Sequence, residues 1–190
     1  MKKILIYALV CAMVSLSGCD KLKDATSRDF TVNNISFAFT AKAQDDVTTQ
    51  RGTPTVTTRA AAMRTFSETR LVDISEMGSS DVVEYANKIN KVVINATEVS
   101  VATVPTGNYS VVDLSITVTG VAGSLVIPAY TIGEAFTTPA GMNAYMSAFI
   151  MQLVNTKTVS VTVSGQTDAP AGTTLTVSYE SDVLFTASLF

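Results

Sequence analysis

The chain has 190 residues, of which 47% are hydrophobic, and its 13 basic and 16 acidic side chains give a formal net charge of −3. This length suits one domain with a hydrophobic core, and the mild acidity argues against nucleic-acid binding, which needs a concentrated basic face. The sequence contains no His and no Trp, which excludes His-based catalysis and His–metal sites and removes the flattest platform for sugar rings.

The first 18 residues have the organisation of a secretory leader. Two lysines precede an apolar run from Ile4 to Leu16, which ends at the small residues Ser17 and Gly18. The run is shorter than the ~20 apolar residues that a transmembrane helix needs. We therefore predict a signal peptide over residues 1–18, with a retained membrane anchor as the alternative.

The segment Leu16-Ser17-Gly18-Cys19 resembles the lipobox of bacterial lipoproteins. The resemblance implies cleavage before Cys19 and acylation of that cysteine, which becomes the first residue of the mature chain. Each buried CH₂ contributes ~0.8 kcal/mol, so several acyl chains make the attachment effectively permanent. The other cysteine, Cys11, leaves with the leader, so the mature chain forms no disulfide. Apart from the covalent lipid, we expect no cofactor and no metal.

The leader and the lipobox together predict where the protein is and how it is divided. Removal of the leader with its two lysines leaves 172 residues and changes the formal charge from −3 to −5. Residues 19–28 are predicted to be the lipidated N-terminus and tether, and residues 29–190 a single β-rich domain. We expect attachment to a Gram-negative outer membrane, on its periplasmic or surface-exposed side. The alternative, indicated by Asp20 after the cysteine, is the periplasmic face of the inner membrane.

The first half of the domain mixes strand and helix patterns. Phe30 to Ala41 alternates apolar and polar residues with a phase shift at Asn33-Asn34, which predicts a strand with a bulge. A Thr-rich loop is predicted over residues 44–59, and a second strand from residue 60 to about residue 74. A short helix is predicted at about residues 81–90. Ser80 or Asp81 is expected to cap it, and Glu84 would complete a capping box.

From residue 91 onward the pattern is mostly β. Alternating segments at residues 92–103 and 109–118 flank a turn at residues 105–108, and a short strand follows at 124–127. The last segments are predicted at residues 159–163, 175–179 and 183–189, the first two joined by a hairpin loop at 168–172. Roughly eight strands without regular helical crossovers predict a mainly β fold, either an immunoglobulin-like β-sandwich or a curved antiparallel sheet.

One strong amphipathic helix interrupts the strands, at about residues 139–155. Thr138 is predicted to cap it, with Pro139 in the first turn. Its apolar stripe has the spacing of a packed helix face and comprises Met142, Tyr145, Met146, Phe149, Ile150 and Leu153. Two interpretations stay open: the stripe belongs to the core, or part of it lines a pocket for an apolar ligand. The residues of that pocket would be Met142, Met146, Phe149 and Leu153.

Two acidic pairs have the oxygen atoms that a calcium site needs. Glu180 and Asp182 share a strand face by their spacing, and Asp45-Asp46 lies in the polar loop, but neither has the spacing of a calcium loop. Solvated surface charge is the favoured interpretation.

The functional expectation is a lipid-anchored module without catalytic activity. It would recruit or scaffold an envelope protein partner through an exposed sheet edge or loops. The alternative is a carrier or sensor of a hydrophobic ligand held under the helix from Met142 to Leu153. Its partners are thus the membrane, reached through the lipid, and either an envelope protein or an apolar ligand.

Overall fold

The computed structural model describes residues 26–45, 63–134 and 138–188. The predicted leader, the lipobox with Cys19 and most of the Thr-rich loop lie outside these ranges. The described strands are β1 (Ser27–Lys42), β2 (Arg64–Asp73), β3 (Ile89–Val104), β4 (Ser110–Val118), β5 (Leu125–Ile127), β6 (Tyr130–Thr131), β7 (Thr158–Thr167) and β8 (Thr174–Ser188). The described α-helices are α1 (Ser80–Tyr85) and α2 (Met142–Thr156), and a 3-10 turn spans Ile74–Met77.

The strands form two antiparallel sheets. Three long strands make one sheet in the order β1-β8-β3, and the other has the order β2-β7-β4-β5, with β6 also paired to β4. The alternating apolar side chains of both sheets meet in one hydrophobic core. The prediction of a mainly β sandwich with two helices is confirmed. β1 begins at Ser27, two residues inside the predicted tether.

The predicted bulge in β1 is confirmed. Its register against β8 shifts between Val32 and Ile35, and Asn34 has a positive φ of 57°, a conformation that Asn tolerates better than most residues. The backbone N–H of Asn34 donates to the carboxylate of Asp182 at 3.1 Å. β3 has a matching register shift between Ile94 and Ala96. Both neighbours of β8 therefore bulge at the same level of the sheet.

The two predicted segments at 175–179 and 183–189 are one continuous strand, β8, up to the last described residue. The division was wrong because Ser181 is polar at an inward position. It is buried, and its hydroxyl donates to the carbonyl oxygen of Ala96 at 2.8 Å. A satisfied hydroxyl continues the inward face where the sequence pattern looks interrupted.

Two predicted hairpins were also wrong. β3 and β4 lie in different sheets, and so do β7 and β8. The loop between β7 and β8 crosses from one sheet to the other, and Asp168 at its start accepts a hydrogen bond from the backbone N–H of Ser110 at 2.8 Å. Alternation shows which side chains of a strand are buried but does not identify the neighbouring strand.

Helix α2 packs against β3 and β7. It begins three residues later than predicted, because Gly141 is its N-cap with φ of 80° and no capping side chain. The predicted roles of Thr138 and Pro139 were therefore wrong. Pro139 precedes the helix, and its carbonyl oxygen accepts a hydrogen bond from the N–H of Met142 at 3.2 Å.

The short helix α1 ends at Tyr85, earlier than predicted, because β3 begins at Ile89. Its cap is Ser79, whose hydroxyl accepts a hydrogen bond from the N–H of Val82, and not Ser80 or Asp81. The capping box occurs one turn earlier. It joins Asp73 and Glu76 around the 3-10 turn. The bond from Ser75 holds the pKa of the Asp73 carboxyl below its usual value.

Candidate functional site

The two sides of the sandwich, where the edges of the sheets meet, differ in how they are covered. On the side formed by β1 and β2, which we call the closed side, the backbone N–H of Gln44 donates to the carbonyl oxygen of Thr65 at 2.9 Å. The guanidinium of Arg64 pairs with the carboxylate of Asp45 at 2.7 Å and donates to the carbonyl oxygen of Ala169 at 3.1 Å. Asp45, for which surface charge is the favoured interpretation, is thus engaged in an ion pair.

Arg70 covers the exposed backbone of β1 on the closed side. Its Nε donates to the carbonyl oxygen of Ala38 at 3.1 Å, and its guanidinium carbon lies 4.8 Å from the centre of the Phe39 ring. The same guanidinium pairs with Glu76 at 2.8 Å. A cation therefore satisfies a backbone group that an edge strand leaves without a neighbouring strand.

The opposite side, which we call the open side, has the edge of β3. Within the described residues β3 pairs with β8 alone. A pocket of about 570 Å³ follows this edge, and five consecutive residues of β3, Thr97–Val101, line it. Four residues from β6 and the segment after it also line the pocket: Tyr130, Gly133, Glu134 and Thr138. We call this pocket the β3 groove.

The geometry of the β3 groove is that of a strand edge. Successive residues of a strand point their backbone N–H and C=O groups alternately to its two sides, so an edge strand presents every second pair outward. Five residues of strand extend about 17 Å. Val99 and Val101 are buried in the core, whereas Glu98 and Ser100 are exposed. The groove therefore offers backbone groups, together with side chains of the solvent face.

The chemistry of the groove is polar and acidic. Its lining includes the carboxylates of Glu98 and Glu134 and the hydroxyls of Ser100 and Thr138, and none of its described lining residues is basic. Tyr130 contributes a phenol whose pKa is raised by burial. The groove can accept hydrogen bonds and positive charge.

More acidic residues lie on the outer face beside the groove. Glu98 is directly opposite Glu180 in the register of β3 and β8. The predicted shared face of Glu180 and Asp182 is confirmed, because the alternate residues of β8 point into the core. Together these three side chains line a second, shallower pocket of about 260 Å³. In the ranges that the structure describes, no group of His, Cys, Asp or Glu side chains is placed to hold a metal ion.

A buried phenol, Tyr179, lies in the core on the neighbouring strand β8, opposite Val99 of β3. Its ring stacks on Phe37 with the centroids 6.0 Å apart. Burial raises the pKa of Tyr179 to about 12, and the neighbouring hydroxyls of Ser181 and Thr97 offset part of that increase. The inner face of the three-stranded sheet is therefore aromatic at this level, while its outer face carries the carboxylates of Glu98 and Glu180.

The four side chains predicted to bind an apolar ligand lie elsewhere. Met142, Met146, Phe149 and Leu153 are each at most 1% exposed and belong to the hydrophobic core. The ring of Phe149 is 5.3 Å from that of Phe37. None of the four lines the β3 groove or the acidic pocket beside it. Core packing explains their pattern without a ligand, and ligand binding by these residues stays a prediction.

The β3 groove itself was not identified from the sequence. Thr97–Val101 has the ordinary alternation of a half-buried strand, and only the order of strands in the sheet makes it an edge. Glu98 lies within this segment, but Glu134 is 36 positions away in the sequence, and only the fold brings the two carboxylates to one groove. Lipidation of Cys19 stays a prediction, since that residue lies outside the described ranges.

Within the described residues, no helix combines the length and the apolar character needed to cross a membrane. No protein-family model, curated protein or solved structure matches this chain.

Proposed function

We propose that this chain is a lipid-anchored binding module of the bacterial envelope, without catalytic activity, which holds a protein partner in the β3 groove. The anchor is the lipid on Cys19 that the lipobox resemblance implies. The outer membrane is the proposed location, and the periplasmic face of the inner membrane is the alternative. The absence of His from the sequence supports a binding role over catalysis, since the residue most often used for proton transfer is missing.

One observation carries the proposal: the groove follows the edge of β3 over five consecutive residues. An exposed edge is a template on which a partner chain forms main-chain hydrogen bonds, and recognition of this kind is common. On the closed side of the same sandwich, Arg70 donates to the backbone of the edge strand β1. The contrast with the groove at Thr97–Val101 supports a binding role for that stretch of the β3 edge.

The anchor is tested by the variant Cys19→Ala in the native host. We expect loss of metabolic labelling with a radioactive fatty acid and accumulation of the uncleaved precursor. Ser17→Thr, which leaves the cysteine in place, serves as the control. Labelling that survives Cys19→Ala would exclude the lipobox assignment.

The binding surface is tested by a photo-crosslinking amino acid placed at Ser100 in cells. The matched control is Thr117, which is exposed on the outer face of the other sheet. We expect one discrete adduct from position 100 and none from position 117. No adduct at position 100, or the same adducts at both positions, would contradict the proposal.

A further inference from the structure

We propose that the segment bound in the β3 groove is an extended, basic peptide stretch of the partner, which adds to the three-stranded sheet as a fourth strand beside β3. The inference rests on the proposed function, because it uses the same groove. It adds the conformation of the bound segment and the sign of its charge.

The regularity of β3 along the groove supports strand addition. The bulge of β3 lies between Ile94 and Ala96, and from Ala96 to Val104 the register against β8 is uninterrupted. The groove begins at Thr97, directly after the bulge. A bulge disrupts the ladder locally, whereas a regular stretch keeps its outward N–H and C=O groups at even spacing for a new neighbour. The groove thus coincides with the part of the edge that can accept a strand.

The charge around the groove identifies the class of segment. Glu98 from β3 and Glu134 from the segment after β6 are both in the lining, and no described lining residue is cationic. The side chains of an added strand alternate between its two faces, so every second residue lies on the outer face with Glu98. Lys or Arg at those positions would meet carboxylates, and acidic residues would be repelled.

The pairing of Glu98 with Glu180 also favours a basic segment in the groove. They are direct cross-strand partners on the exposed face, and like charges placed directly opposite on neighbouring strands destabilise a sheet. The free protein gains nothing from this pair. A cationic side chain beside Glu98 would offset the repulsion between the carboxylates of Glu98 and Glu180. This gain in electrostatic energy occurs only when the partner binds.

The test uses the full lipidated chain in detergent and hydrogen exchange of its backbone amides. The probe is a short blocked peptide in which Lys alternates with Thr, and the matched probe has Glu in place of each Lys. We expect the Lys peptide to slow exchange in Thr97–Val101 by about ten-fold, as hydrogen bonding to a new strand requires. The Glu peptide should produce no protection.

A charge-reversal variant sharpens the test. In the double variant Glu98→Lys/Glu134→Lys, protection should be lost with the Lys peptide and should appear with the Glu peptide. The control, Glu84→Lys, reverses one charge at an exposed position on α1 and should keep the preference for Lys. If the reversed variant does not fold, the milder pair Glu98→Gln/Glu134→Gln replaces it, because both residues are at the surface rim. This pair should weaken binding of the Lys peptide several-fold.

Other outcomes overturn the inference in distinguishable ways. Binding of the Lys peptide without protection of Thr97–Val101 would mean charge attraction without strand addition. Protection by a neutral disaccharide such as maltose, and not by the peptide, would make the groove a sugar site. If the adduct from position 100 forms in cells but neither peptide protects the edge, the basic-strand inference fails and the proposed function stands. If that adduct does not form, the proposed function itself fails.

Discussion

The closed and open sides of this sandwich differ in how the unpaired backbone groups of their edge strands are covered. Each has the edge of a long strand with backbone groups that lack a neighbouring strand. On the closed side, Arg70 donates to the carbonyl of Ala38 and lies over Phe39. On the open side, carboxylates line the groove beside the edge, and none of the described residues that line it is a cation.

This difference shows that edge coverage is a local property of a few side chains. Proteins commonly protect edge strands with charged residues, bulges or covering segments, because an open edge invites pairing with another chain. Here the covered edge and the open edge are in one three-stranded sheet, on either side of β8. The edge of β1 is protected by an arginine, whereas the edge of β3 at the groove is not protected in this way within the described residues. An edge without such protection departs from the general rule, and departures of this kind are expected at functional sites.

The largest expected effect comes from breaking the core packing between helix α2 and the three-stranded sheet. Phe149 of α2 is buried against Phe37 of β1, so Phe149→Ala should lower the free energy of unfolding by about 3–5 kcal/mol. Urea denaturation measures the loss. Met151→Ala, at a partly buried position of the same helix, is the control and should cost less.

The same variant also tests the apolar-ligand prediction for Met142, Met146, Phe149 and Leu153. Native mass spectrometry of the wild-type chain should show no non-covalent apolar ligand if these residues are core alone. A co-purifying lipid that is lost in Phe149→Ala would instead support the carrier function.

The next effect concerns Tyr179, a core residue of the central strand β8, at high pH. The pKa of Tyr179 is about 12 in the folded protein and 10.0 without its surroundings. Between these values the folded state holds the proton more tightly than the unfolded state does, so stability falls as pH rises from 10 to 12. The fall attributable to this group is roughly 2–3 kcal/mol.

Tyr179→Phe removes the ionisable group and should flatten this part of the stability curve, measured by urea denaturation at several pH values. Comparison of the two proteins at pH 7, where both side chains are neutral, separates the packing effect from ionisation. An equally steep alkaline fall in the variant would contradict the assignment to Tyr179.

Much of this architecture can be predicted from the sequence, because a helix or strand that is buried on one face has apolar residues at a characteristic spacing. The phase shift at Asn33-Asn34 predicts the bulge of β1, and the apolar stripe predicts α2 to within three residues at its start. Both signals are local: each depends on side chains that neighbouring turns or pleats bring to one face.

What the sequence could not reveal depends on long-range partners. Ser181 looks like a break in β8 because its hydroxyl partner, the carbonyl of Ala96, is 85 positions away in the chain. Thr97–Val101 becomes an edge through the order β1-β8-β3, which alternation does not encode. The candidate site was missed for the same reason, since its defining feature is the strand that is absent beside β3 in the described sheet.

A moderate effect is expected from uncovering the closed side. Arg70→Ala removes the hydrogen bond to Ala38, the contact with Phe39 and the ion pair with Glu76. We expect a loss of about 1–2 kcal/mol in the free energy of unfolding, with faster amide exchange along the exposed edge of β1. Arg28→Ala, which breaks a more exposed ion pair, should cost less. Unchanged exchange along β1 would show that Arg70 does not cover this edge.

The smallest expected effect is a gain in stability on the open side. Glu98→Gln removes the like-charge repulsion with Glu180 and should raise the free energy of unfolding by about 0.5 kcal/mol at low salt. The gain should shrink at about 1 M salt, where the Debye length is near 3 Å. Glu84→Gln, far from this pair on α1, should produce no such salt-dependent gain. A loss of stability in Glu98→Gln would mean that the carboxylate serves the fold. A gain, together with weaker binding of the Lys peptide, would mean that the open side keeps a charge that favours binding over stability.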